Sequence, residues 1–369
     1  MIPIVDLKRQ YKQTGEEIEK AVVDVLRSGA YILGPNTKAL EQEFSQYLGT
    51  KHAIGLNSGT DALHLALRAL DIGKGDEVIT VAFTFVATTE SIEIVGATPV
   101  FVDIDPDTFN MDVTQIEDKI TPRTKAIMPV HLYGQPADMD VIMDIAKRHN
   151  LYVIEDCCQA VGAEYKGKKV GSFGDIGAYS FFPTKNLGGM GDGGMAVTNS
   201  DFLKDRMIAL RNHGGAVRYH HDEIGVNSRL DEIQSAILRV KMNYIDEWNK
   251  MRREVAHRYT ELFKDCEDVI TPKELDETYC VYHQYTIKVP NRDAVQKMLQ
   301  ENGVGAMLYY PIPLHMQKVH AHLGYKMGDL PKTEYNTQHV MSLPMFAELT
   351  AEEQKEIATK VKDAIATVS

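Results

Sequence analysis

The chain has 369 residues, and its 52 Asp and Glu against 40 Lys and Arg give a formal charge of −12, which removes the basic surface that broad nucleic-acid binding requires. Its 44% hydrophobic and 25% charged residues are the balance of a soluble globular protein, and the length suits a large domain with a smaller one. No apolar run approaches membrane-spanning length, and no basic-then-apolar leader opens the chain, so a cytoplasmic location is expected.

In chain order, the first informative segment is Asn57-Ser58-Gly59-Thr60-Asp61, followed by apolar residues Leu63, Ala66, Leu67 and Leu70 at the spacing of one helical face. The spacing predicts a helix whose N-terminus is built from small residues. Free N–H groups and the helix dipole make such an end a phosphate site, although a plain N-cap has the same residues. Residues 77–82, 99–103, 126–130 and 151–155 then read as buried strands, with amphipathic helices over 87–95 and 138–148 between them. That alternation predicts an α/β fold with a mainly parallel sheet and helices on both faces.

Asp156 follows the strand at 151–155, at the carboxyl end where ligands of open α/β sheets gather. A carboxylate there suits the ring nitrogen of a pyridine-based cofactor, and equally an N-cap for the next helix. Strands over 174–182 and 195–198 flank Lys185, which ends the apolar run Ala178-Tyr179-Ser180-Phe181-Phe182-Pro183-Thr184. A partly desolvated lysine amine is nucleophilic and can condense with a carbonyl as a Schiff base; a lysine snorkelling to water is the alternative. The glycine run 188–194 lacks a Gly-Lys-Ser/Thr ending and precedes a strand pattern, so it reads as a tight turn beside the lysine rather than a nucleotide loop.

Residues 218–223, Arg-Tyr-His-His-Asp-Glu, read as a hairpin; adjacent histidines on a strand point to opposite faces and do not make a metal site. A long helical pattern starts near Leu230 and carries Ile233, Ile237, Val240, Tyr244 and Trp248 on one face. After Phe263 the pattern changes to a strand at 279–289, a helix at 292–302, a proline-punctuated stretch at 307–313 and a helix at 351–364. The expected division is a large domain over 1–250 and a small α+β domain over 251–369. The cysteines, Cys157, Cys158, Cys266 and Cys280, show no zinc spacing and no disulfide framework.

A phosphate cup, a ring-nitrogen carboxylate and a Schiff-base lysine in this chain order resemble the DegT/StrS-type sugar aminotransferases, pyridoxal-phosphate enzymes with the aspartate aminotransferase (type I) fold. The resemblance covers essentially the whole chain and is most specific at Ser180–Asn186 and at Gly225-Val226-Asn227-Ser228-Arg229-Leu230. It implies pyridoxal 5'-phosphate as cofactor, with Lys185 as the residue that carries it and Asp156 on the pyridine nitrogen. Gly59, Thr60 and Ser180 are implied at the phosphate, Phe85 over the ring and Gln159 beside the ring hydroxyl. Asn227 is implied to reach the phosphate of a neighbouring subunit, which makes the protein a homodimer with shared sites. Arg218, Tyr219, His220, Tyr310 and His315 are the implied substrate contacts.

Lysine rather than histidine at position 185 separates this chain from the dehydratase branch and implies transamination. The implied donor is L-glutamate and the implied acceptor a nucleotide-linked keto-sugar, specifically a dTDP-3-keto-6-deoxyhexose by the character of the loop at 219–231. Two alternatives stand: a 4-keto-sugar aminotransferase of the same family, and a non-catalytic relative that binds the cofactor as a sensor.

Overall fold

The computed structural model describes residues 1–215, 217 and 219–368. Seven strands build the central sheet: β1 (His52–Leu56), β2 (Glu77–Val81), β3 (Thr98–Val102), β4 (Thr124–Ile127), β5 (Tyr152–Asp156), β6 (Ile176–Ser180) and β7 (Gly194–Thr198). Their spatial order is β1-β7-β6-β5-β4-β2-β3. From β3 to β6 all neighbours are parallel, and β7 alone runs against both β6 and β1. Both β2 and β7 are buried at every residue, as expected where helices cover both faces.

One face packs helix Gly59–Ala69, through Leu63, Ala66 and Leu67, on Ile54, Val78, Ile154 and Ala178. The other packs Met139, Ile142, Ile145 and Ala146 of helix Met139–His149 on Ile79, Val102, Ile127 and Val153. The central α/β architecture read from the sequence is the one observed. Among the described residues no helix is long and apolar enough to cross a membrane.

A separate apolar cluster lies toward the C-terminus. The antiparallel pair Tyr285–Lys288 and Val340–Leu343 packs with helices Arg292–Glu301 and Ala351–Val368 and with Tyr259 and Phe263 of helix Ile245–Phe263. Helix Ile245–Phe263 runs across residue 250. Ile2 joins this same cluster and bonds through its backbone to Gly303 and Gly305, both at 2.8 Å.

Two expected elements differ in detail. The helical pattern from Leu230 is two helices, Glu232–Met242 and Ile245–Phe263; Asn243 caps the first by donating its N–H to Val240 O. The strand expected over 279–289 is interrupted. Thr278–Tyr279 pairs with Glu164–Tyr165, whereas Tyr285–Lys288 pairs with Val340–Leu343. Between them the chain bonds instead to an underlying turn, Val281 N–H to Gly134 O (3.1 Å) and His283 N–H to Tyr133 O (2.8 Å).

Helix Leu7–Ser28 is fastened to the C-terminal helix by Arg9, whose guanidinium donates to both carboxylate oxygens of Glu353 and to Glu348 O. The hydrogen bond from Arg9 pulls the Glu353 carboxyl from its ordinary 4.5 down to about 2. A depressed folded pKa means that the pair stabilises the fold above the ordinary carboxylate range and is lost as pH falls through about 2. The side chains are 30% and 21% exposed, so solvent screens much of the effect. Glu353→Gln is expected to lower the apoprotein Tm at pH 7, and the difference from wild type should close between pH 4.5 and 2. A gap independent of pH would mean that packing, not charge, makes this contact.

Candidate active site

The site forms where strands β5 and β6 end and helix Gly59–Ala69 begins. Ser58 caps that helix, its Oγ accepting from the Asp61 N–H at 3.0 Å. The N–H groups of Gly59 and Thr60 have no acceptor among the described residues and face a cavity of about 380 Å³. The turn fits only because it lacks side chains. A Cβ on Gly59 would lie 2.7 Å from Ser180 Cβ and 2.8 Å from Cys158 Sγ, and one on Gly194 would lie 2.3 Å from the Ser58 backbone. Strands β6 and β7 therefore press directly against the helix N-terminus and leave its open N–H groups to the cavity.

Asp156, the last residue of β5, is 5% exposed. Its Oδ2 accepts from the Thr88 hydroxyl at 2.9 Å and its Oδ1 from the Cys158 N–H at 3.2 Å. Both oxygens are thus oriented as acceptors, the form that a ring N–H needs opposite it. Gln159 is set by accepting from the Tyr133 N–H at 2.7 Å and donating from Nε2 to the Tyr310 hydroxyl at 3.1 Å. The Phe85 ring stands at the mouth, 54% exposed, with its centroid 6.2 Å from that of Tyr310.

Lys185 occupies the turn after β6, which is closed by Lys185 N–H to Phe182 O (2.9 Å) and Gly189 N–H to Phe181 O (2.7 Å). Behind the turn, buried Lys241 donates to Gly188 O at 2.7 Å. Desolvation lowers the Lys185 pKa below the ordinary lysine value, against the opposing pull of Cys158 and Asp156. Its amine has no hydrogen-bond or ion-pair partner among the described residues. Beneath Asp156, Glu155 is saturated: it accepts from the N–H groups of Gly171, Phe173 and Gly174 and lies 3.1 Å from His131 Nε2. The His131, Glu155 and Cys157 group is accordingly an anchor for the loop after β5.

Of the residues singled out from the sequence, Gly59, Thr60, Phe85, Asp156, Gln159, Ser180, Lys185 and Tyr310 all line this cavity. Asn227 does not; it is exposed and bridges to Asn212. Tyr219 lines a different groove, with Asn212, His213 and Arg229, and His220 is exposed. Arg218 lies outside the described residues. His315 lies apart from these residues. It is 2% exposed, its Nε2 lies 3.0 Å from Glu334 Oε1, and it does not reach the cavity. Glu334 also accepts from the Gly328 and Leu330 N–H groups, so this pair stabilises a turn. Thr88, Cys158, His283 and Gln284 line the cavity without having been singled out.

The donor set fits pyridoxal phosphate: open N–H groups at a helix N-terminus for a phosphate, an acceptor pair for a ring N–H, an amine for an aldehyde and an aromatic side chain at the mouth. Fold and cavity together define a type I α/β aminotransferase. The DegT/DnrJ/EryC1/StrS aminotransferase family matches residues 12–362, and the chain belongs to it.

A relative from Geobacillus stearothermophilus named "Pleiotropic regulatory protein" is 52% identical, over 98% of both chains. A UDP-N-acetyl-3-dehydro-alpha-D-glucosamine 3-aminotransferase from Acidithiobacillus ferrooxidans is 49% identical, over 98% of this chain and 97% of its own. Among solved structures, DesV of S. venezuelae in complex with a ketimine intermediate superposes with a TM-score of 0.96 at 40% identity, over 98% of both chains.

Proposed function

We propose that this chain moves an amino group from L-glutamate to the keto carbon of a nucleotide-linked deoxysugar, specifically a dTDP-3-keto-6-deoxyhexose, and releases the dTDP-3-amino sugar. The cofactor is pyridoxal 5'-phosphate. The observation that supports the reading best is the meeting of Lys185, Asp156 and the helix N-terminus at Gly59 in one cavity, in a chain of an aminotransferase family.

When bound, the cofactor supplies an aldehyde that condenses with amines and a ring that takes up an electron pair. Lys185 provides the amine that carries it and, once displaced by the donor's amino group, acts as general base. It takes the proton from the donor's α-carbon and returns one on the cofactor side; the sequence reverses with the keto-sugar. Asp156 accepts from the ring N–H and stabilises the positive ring, which favours uptake of the electron pair. The N–H groups of Gly59 and Thr60, with the Ser180 hydroxyl, receive the phosphate. Phe85 covers the ring face and excludes water, and Gln159 stands beside the ring hydroxyl. Tyr310 at the mouth would contact the sugar, and Tyr219 and His220 of a second copy would approach its diphosphate.

In this reading the functional unit is a two-fold dimer with Asn227 reaching the partner's phosphate site. Asn227 is exposed and outside its own chain's cavity, as a residue serving another chain would be. Asn227→Ala is expected to raise the Kd for the cofactor about tenfold, the effect of one lost phosphate hydrogen bond, with the Tm of the apoprotein unchanged. Equilibrium dialysis checks this, and unchanged retention would remove Asn227 from the site.

Curated relatives are named for 3-amino transfer on both dTDP- and UDP-linked sugars. The decisive assay offers dTDP- and UDP-linked 3-keto and 4-keto sugars with glutamate and locates the new amine by NMR. Amine at C3 of the dTDP sugar supports the proposal. Turnover of only the UDP-linked 3-keto N-acetylhexosamine would move it to the carrier of the Acidithiobacillus relative, and amine at C4 would overturn the ring position. The 52% identical relative carries a regulatory name, and the alternative to an enzyme is a sensor that binds the cofactor without turnover. Glutamate alone separates the two, because an enzyme converts its bound cofactor to the pyridoxamine form with a change of absorbance and a sensor does not.

A further inference from the structure

Thr88 reaches Asp156 from another part of the sheet. It lies in the first turn of helix Ala87–Ile94, which follows β2, and β2 stands two places from β5. Its hydroxyl donates to Asp156 Oδ2 at 2.9 Å, while the Cys158 N–H donates to Oδ1. The Cys158 thiol stands beside the same carboxylate, and burial keeps it protonated. No Lys, Arg or His forms an ion pair with Asp156 among the described residues, so neutral donors hold the charge.

Thr88 has one hydroxyl proton and gives it to Asp156, so the neighbouring Thr84 hydroxyl, 3.1 Å away, is the donor to Thr88. This fixes the direction of a chain, from Thr84 to Thr88 to Asp156. The two threonines are 2% and 1% exposed, both line the cavity, and the Thr88 N–H donates to Phe85 O at 3.2 Å. Hydrogen bonds in series polarise one another, and each step draws charge from the carboxylate at the end. A carboxylate that has given up charge competes less well for a proton on the group opposite it.

We propose that Thr88 is a positioning residue for Asp156 and that Thr84 acts through it: the hydroxyl chain holds Oδ2 in place as an acceptor and leaves the shared proton on the ring nitrogen of the cofactor rather than on the carboxylate. This rests on Asp156 facing the ring nitrogen. A ring that keeps its proton is the better electron sink, so the chain supports the uptake of charge that the reaction needs. Neither threonine exchanges a proton with the substrate.

The test loads the full-length protein with pyridoxal phosphate carrying 15N in its ring and reads that nitrogen by NMR. The wild type is expected to show a protonated ring nitrogen at pH 7. Thr88→Val, which keeps the shape and removes the hydroxyl, should move the signal toward the unprotonated pyridine value and lower kcat about tenfold, with the apoprotein still folded. Thr88→Ser should restore both the signal and kcat. Thr84→Val should give smaller changes in the same direction, and the double variant should be no worse than Thr88→Val alone, because Thr84 acts only through Thr88. Should Thr88→Val not fold, Thr84→Val carries the same test one bond further out. An unmoved 15N signal in folded Thr88→Val, or additive losses in the double variant, overturns the proposal. An unprotonated ring nitrogen in the wild type overturns the placement of Asp156 as well, so the two failures are told apart.

Discussion

Lys185→Ala is expected to abolish turnover, with kcat falling about 10⁴-fold, while the apoprotein keeps its fold and its Tm does not fall. The two halves of this result have separate causes. The catalytic loss follows because no other amine lines the cavity among the described residues, so neither the covalent attachment nor the base is replaced. Stability is preserved because the cavity desolvates the amine and lowers its pKa. A lysine whose folded pKa lies below its unfolded one costs stability wherever it is charged in both states, and the cost fades as pH rises toward the ordinary value. Alanine removes that cost at pH 7. A variant that is inactive because it is unfolded would show a collapsed thermal transition, and a folded variant with near-normal kcat would contradict the assignment.

Asp156→Asn is expected to lower kcat about 10³-fold, corresponding to about 4 kcal/mol of lost transition-state stabilisation. Asparagine matches the shape but reverses half of the bonding. The carboxylate accepts from the Thr88 hydroxyl and from the Cys158 N–H, and the amide group of Asn would face one of these donors with its own N–H. It also no longer stabilises a protonated ring. The Tm should fall as well, through about 1–3 kcal/mol for a buried polar group left unsatisfied. A cofactor analogue methylated on the ring nitrogen carries a fixed positive charge, and it should recover part of the lost rate in the variant. No loss of rate in the variant, or no recovery with the analogue, would show that the ring charge is not what Asp156 governs.

The site was legible in the sequence where one short segment carries both its structure and its chemistry. Ser58 to Asp61 announces a helix start and a phosphate cup together, since small capping residues followed by 3.6-residue periodicity serve both. Asp156 was legible because Leu151 to Ile154 is a continuous apolar run, and the residues that follow such a run fall at the ligand edge of a parallel sheet.

Residues brought in by tertiary structure were not legible. His283 and Gln284 sit in what reads as an ordinary strand, and only the backbone bonds to Tyr133 and Gly134 break that strand and turn them to the cavity. His315 stands beside a proline-rich turn in the sequence, and in the structure its Nε2 lies against Glu334, apart from the cavity lining. Helices Leu7–Ser28, Pro35–Leu48 and Asp201–Arg211, and strand His52–Leu56, carry no site residue singled out from the sequence and were not distinguished there. Leu7–Ser28 buries only Thr14, Gly15, Ile18 and Val25, too sparse a stripe to stand out among its charged residues.

Borohydride reduction of the holoenzyme followed by peptide mapping tests the central claim most directly. The account predicts a single phosphopyridoxyl label on Lys185, formed in the absence of amino donor and prevented by prior incubation with glutamate. A label on another side chain, or a protein that binds no cofactor when pyridoxal phosphate is supplied, would contradict it.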